Sequence, residues 1–143
     1  MRAVRVVLAA VLVLCVAAGC GRSPSLEREL VGICEKYTQL FAAKDYDAAR
    51  HYLTGQALLE LDASRPLLEA VRAVETKVSE FQGKVDFMSR DKTRASARCT
   101  WVQEQTVPGS GTTITRVEVV YDLVKLKGKW LISGIKLLSQ EAK

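Results

Sequence analysis

A chain of 143 residues is long enough for one ordinary domain and too short for two. Its net charge of +5 is spread along the sequence, with no basic stripe interleaved with aromatic residues, so nucleic acid is not an expected partner. Taking Arg2 and Arg5 from the 21 basic residues leaves 19 against 16 acidic ones, close to neutral for everything that follows the N-terminus.

Those two arginines precede an unbroken apolar run of 14 residues, Val6 to Gly19. A helix needs about 20 apolar residues to cross the hydrocarbon core, so the run reads as the apolar region of a secretory signal. It ends in Ala17-Ala18-Gly19-Cys20, which resembles the lipobox of bacterial lipoproteins, with Ala17 where leucine is commoner. The resemblance implies cleavage before Cys20, a diacylglyceryl group on its thiol, and attachment to the extracytoplasmic face of the cell membrane. The alternative is an ordinary secretory signal with an incidental cysteine. At least two acyl chains on Cys20 would make the attachment durable. Cys15 would leave with the signal. Gly21 to Ser25 form a polar tether reaching at most roughly 15–18 Å. The expected organisation is a signal peptide over 1–19, a lipidated cysteine and tether over 20–25, and one α+β domain over 26–143.

Leu26, Leu30, Ile33, Cys34, Tyr37, Leu40 and Phe41 recur at three- and four-residue steps, one face of a helix over about 26–43. Asp45 or Asp47 is placed to cap a short second helix. A third helical stretch begins near Ala57, and Ser64-Arg65-Pro66 predicts a restart with Ser64 as N-cap. From about Lys77 the period changes to two. Phe81, Val85 and Phe87 share one face of the first strand, and Ala95, Ala97, Cys99 and Trp101 one face of the second. Val117, Val119, Tyr121 and Leu123 share a face of the third. A last strand runs from Trp130 to about Leu138, apolar on both faces, so its pattern does not orient it. Asp86, Glu118 and Asp122 fall opposite the apolar sets. Met88, Val102, Val120 and Val124 fall on that outer face too, a patch suited to a homodimer. Lys125, Lys127 and Lys129 surround a turn, where lysines usually keep a sheet edge soluble and otherwise lie on anionic headgroups. The order predicts helices packed on one face of a curved four-stranded antiparallel sheet.

The long helix, Lys44-Asp45-Tyr46-Asp47, the further helices, four strands and closing Gly128-Lys129-Trp130-Leu131-Ile132 resemble the nuclear-transport-factor-2-like superfamily. The likeness covers about Leu26 to Gln140 and implies a cone whose mouth can hold a ligand. Tyr37, Tyr46, His51, Trp101 and Tyr121 are its expected lining, with Ser89 and Gln103 at strand ends. Members include enzymes and binding modules, so the fold does not choose between them. Cys34 and Cys99 lie on surfaces that such a fold turns toward each other. A disulfide is one reading in an oxidising compartment, and two buried thiols the other. One histidine and scattered cysteines make no zinc pattern, and no cofactor motif is present. With the strand carboxylates outside the cone, no catalytic residue is assigned. The expected role is non-enzymatic, contacting another envelope protein or a small apolar ligand. The alternative is an isomerase or lyase acting on a small substrate in the cone.

Overall fold

The computed structural model describes residues 23–143, so the expected signal segment and Cys20 lie outside the described residues. Helix α1 runs Pro24–Ala42, with proline in its first turn, where a missing N–H costs nothing. It buries Leu30, Cys34, Tyr37 and Thr38, one stripe at steps of four, three and one. The helix ends in a Schellman turn. Lys44 takes φ 63°, and the Asp45 and Lys44 amides donate to the Leu40 and Phe41 carbonyls, both at 3.0 Å. Asp45 then caps helix α2, Tyr46–Arg50, accepting from the Ala48 amide at 3.2 Å.

Helix α3 is continuous over Gly55–Ala70, with Pro66 inside it, so Ser64 does not open a new helix. Proline removes one backbone bond from a helix interior, and contacts to α2 hold the turn. Arg50 grips Asp62 through two bonds of 2.9 and 3.0 Å, while Arg65 reaches Asp47 at 3.2 Å and lies 5.3 Å over the Tyr46 ring.

Strands β1 (Glu75–Met88), β2 (Arg94–Val107), β3 (Gly111–Leu126) and β4 (Lys129–Ala142) form one antiparallel sheet in the order β1-β2-β3-β4. Lys127 and Gly128, with φ 50° and 78°, make the two-residue turn of the last hairpin. The link between α2 and α3 covers the start of the β4 edge. The Thr54 amide donates to the Ile132 carbonyl at 2.9 Å, and the Ile132 amide to Tyr52 at 2.8 Å.

Register slips occur only in the two outer strands. β1 slips between Ser79 and Gln82 and between Val85 and Phe87; β4 slips opposite Glu118/Val119 and Asp122/Leu123. Each bulge resets which face a side chain takes and bends the strand. Phe87, expected inside, therefore pairs with Ser96 and is 53% exposed, while Met88 pairs with Ala95 and packs against the core. The expected outer patch loses Met88, and Val102 within it is only 7% exposed. In β4 the slips keep Trp130, Ile132, Ile135 and Leu137 on the inner face despite their uneven spacing.

The middle strands keep strict alternation, and Ala95, Ala97, Cys99, Val117, Val119, Tyr121 and Leu123 are all buried, as expected. Their small members let α1 lie close to the sheet. At Gly83 a Cβ would sit 2.6 Å from a Val31 methyl and 3.1 Å from the Cys99 sulfur, so only glycine fits without displacing the helix. Among the described residues the buried apolar core runs from Leu30 to Ile132, so residues 23–143 carry all of the core that the structure describes.

Candidate functional site

The inner face of β2 changes character along its length. Ala95, Ala97 and Cys99 lie under α1, whereas Trp101, Gln103 and Gln105 continue beyond it. Above this second half sits α3, whose lining residues Ala57, Glu60, Leu61, Ser64, Leu67 and Leu68 share one helical face. Only Ala57 and Leu61 of these are buried; Leu67 is 69% exposed. The helix stands off the sheet, leaving an open cavity of about 800 Å³ between them. Ligand sites commonly measure roughly 300–1,000 Å³.

Six of the nine aromatic residues form a continuous run along the floor. Phe81 and Tyr121 lie nearly parallel to Trp101, with ring centres 5.8 and 6.5 Å away. Tyr121 meets Tyr37 edge-on at 6.1 Å, Tyr37 meets Phe41 at 6.0 Å, and Phe41 meets Tyr46 at 5.4 Å. Tyr37, Phe41, Tyr46, Trp101 and Tyr121 all line the cavity. Phe81 and Tyr121 thus flank Trp101 from the two neighbouring strands.

The polar groups of the floor are neutral. Thr38 donates to the Cys34 carbonyl at 2.7 Å and lies 2.6 Å from the Tyr121 hydroxyl. One hydroxyl carries one proton, so Tyr121 must be the donor to Thr38. Trp101 donates its indole N–H to the Gln103 side-chain oxygen at 3.4 Å, leaving the Gln103 amine for other partners. The Tyr37 hydroxyl has no hydrogen-bond partner among the described residues, although the residue is 6% exposed.

Burial, then the nearby Glu60 carboxylate and Tyr46, push the Tyr37 phenol up to about 12. Burial pushes Tyr121 up as well. The unfolded chain ionises its tyrosines near pH 10. Stability is therefore complete below about pH 10 and lost as pH rises through about 12, because the unfolded state sheds its protons first. Tyr37 alone should cost about 2–3 kcal/mol across that window. Urea denaturation on either side of about pH 10 checks this, and Tyr37→Phe should flatten the profile.

The structure brings Tyr37, Tyr46, Trp101 and Tyr121 of the expected lining together, and Gln103 with them. His51 is not among them; it is the exposed C-cap of α2, outside the cavity. Ser89 is also elsewhere, tied to Asp91 and to the amides of Thr93 and Arg94 in the β1–β2 turn. Glu60, Gln105, Leu67 and Leu137 line the cavity and were not anticipated. The helical stripe Ala57, Leu61, Ser64, Leu68 was the available signal for the α3 wall; Leu137 was hidden by the β4 bulges.

The strand carboxylates occupy the opposite face, as alternation requires. Arg98 bridges Asp86 and Glu118, each at 3.2 Å, and Ser96 donates to Asp122 at 2.8 Å. The charged residues on the cavity wall are Lys44, whose ammonium donates to the Val74 carbonyl, and Glu60, which accepts from Gln56 at 3.0 Å. Cys34 and Cys99 meet beneath the floor as free thiols, both fully buried and sharing a hydrogen bond. That bond, then burial, pushes the Cys34 thiol up. Among the described residues no three His, Cys, Asp or Glu side chains cluster as a metal site, and no helix is long and apolar enough to cross a membrane.

Fold and site together define an α+β domain with a four-stranded antiparallel meander and a cavity roofed by a helix. No family model and no curated protein matches the chain. Among solved structures it is similar to the intermembrane-space region of the chloroplast protein ARC6, with a TM-score of 0.60 and 16% identity. The match covers 79% of this chain and 96% of that one. At that identity the likeness shows the fold alone.

Proposed function

We propose that this chain is a lipoprotein, tethered to the extracytoplasmic face of a membrane through Cys20, whose domain is a non-enzymatic binding module of the cell envelope. We further read the domain as a nuclear-transport-factor-2-like cone, curled by the bulges of β1 and β4 and open between α3 and the sheet. The observation that carries the binding role is the cavity: apolar walls, a floor of neutral aromatic and amide groups, and exposed aliphatic residues at its rim. Proton-transfer catalysis needs a base within about 3 Å of its target with a tuned pKa. Asp86, Glu118 and Asp122 sit on the far face, His51 lies off the cavity, and Glu60 is exposed and held by Gln56. These placements favour binding over the isomerase or lyase reading.

Two measurements test the two halves. Fractionated cells should hold the wild type in membranes and the Cys20→Ala protein as precursor or soluble chain. A soluble wild type whose first residue is not Cys20 would end the lipoprotein reading. Titrating residues 23–143 with an apolar environment-sensitive dye should saturate at one site per chain; emission that never saturates would contradict the binding role.

A further inference from the structure

The lining of the cavity carries a statement about the charge of its ligand. Its walls are aliphatic, from Leu61 and Leu68 on α3 to Val117, Val119 and Ile135 on the sheet. At the floor, the Tyr121 proton goes to Thr38 and the Thr38 proton to the Cys34 carbonyl. The Tyr37 hydroxyl and the Gln103 amine remain there for a guest, two neutral donors, and Ser64, Thr76, Gln105 and Gln140 add further neutral groups to the lining. The two charges on the cavity wall are of opposite sign: the Lys44 ammonium, which donates to the Val74 carbonyl and keeps its charge, and the Glu60 carboxylate, which accepts from Gln56.

A buried ion without a partner is far costlier than a buried neutral polar group that gains a hydrogen bond. Among the described residues, an ion of either sign would meet one wall charge that attracts it and one that repels it, Lys44 and Glu60, and so would find no net partner for its own charge. A hydroxyl, ester or amide would find two donors at the end of an apolar sleeve. At the rim, Leu67, Val71, Val107 and Leu137 are each more than 40% exposed, giving an apolar tail continued contact where it leaves the cavity.

We propose that the cavity receives an uncharged lipid-like molecule, an apolar chain with one hydroxyl or carbonyl group, taken by the Tyr37 hydroxyl and the Gln103 amide. This rests on the binding role of the cavity. The bound group accepts from Tyr37, whose phenol stays protonated throughout the physiological range because burial holds its proton.

The test uses residues 23–143 and three pyrene-tailed probes of equal chain length ending in an alcohol, a carboxylate or an ammonium, titrated at neutral pH below their aggregation limits. The alcohol should bind at least about tenfold more tightly than either ion, the scale of one satisfied hydrogen bond against one stranded charge. Tyr37→Phe and Gln103→Leu should each weaken the alcohol by roughly fivefold, about one neutral hydrogen bond, and leave the ions unchanged. Circular dichroism confirms that both variants fold. Equal or tighter binding of the carboxylate or the ammonium overturns the proposal while leaving a binding cavity intact. So does a preference for the alcohol that survives both substitutions. If none of the three probes saturates, the binding role itself falls, and this inference with it.

Discussion

Trp101→Ala should destabilise the domain by about 3–5 kcal/mol, the range for truncating a large buried aromatic. The indole is 6% exposed, lies between the Phe81 and Tyr121 rings and donates to Gln103. Its removal enlarges an existing cavity rather than allowing collapse, because the middle strands are fixed by pairing on both sides. Phe87→Ala is the matched control. It removes an aromatic from an adjacent strand, but the β1 bulge leaves that ring 53% exposed, so the loss should stay below about 1 kcal/mol. Urea denaturation of both variants checks the pair. Comparable losses would mean that β1 keeps the plain alternation of its sequence and that the bulge is absent.

Oxidation of Cys34 and Cys99 should stabilise the protein by about 4 kcal/mol, the chain-entropy value for a closed loop of about 66 residues. The structure brings the two sulfurs together as thiols under α1, on a helix and a strand that no turn connects directly. Their complete burial, with the Cys34 thiol pushed up, makes them poor nucleophiles once folded. The bridge must therefore form before α1 settles on the sheet. Intact mass under non-reducing conditions should be two hydrogens lighter for protein made in an oxidising compartment than for protein made in a reducing cytoplasm. Alkylation of both cysteines, without reductant, in the unfolded protein from the oxidising compartment would contradict it.

Periodicity predicted the parts of the fold that obey one period throughout. The stripe from Leu30 to Tyr37, the Asp45 cap and the inner faces of β2 and β3 all lie where the spacing put them. A middle strand is hydrogen-bonded on both edges, so its register cannot drift without exposing every apolar residue. The outer strands have one free edge and tolerate bulges there. That is why Phe87 and Met88 exchanged faces, and why β4 read as apolar on both sides. Ser64-Arg65-Pro66 carries the local signature of a helix start, but Arg50–Asp62 and the Arg65 contacts keep α3 whole. No local pattern encodes such tertiary ties.

The candidate site was legible in the same proportion. Tyr37, Tyr46, Trp101 and Tyr121 were expected together because they sit on regular faces, and they line one cavity. His51 was expected there because it follows the short helix that the resemblance sets beside the cavity mouth. The α2 C-cap instead turns it to solvent. The gap between α3 and the sheet depends on how far the helix stands off, which no residue pattern states. The nature of that gap followed once it was seen: Gln103 and Gln105 extend an inner face that is otherwise apolar, and Leu67 and Leu137 are left exposed at its rim.

Methyl-resolved nuclear magnetic resonance of residues 23–143, with and without the apolar dye, tests the binding role most directly. Adjacent valines of β3 lie on opposite faces of one strand: Val117 and Val119 line the cavity, while Val120 and Val124 face away from it. A guest in the cavity should shift the methyl signals of Leu61, Val117 and Val119 in a saturable way and leave those of Val120 and Val124 in place. Shifts confined to Val120 and Val124, or none that saturate at any of the five, would contradict a binding cavity beneath α3.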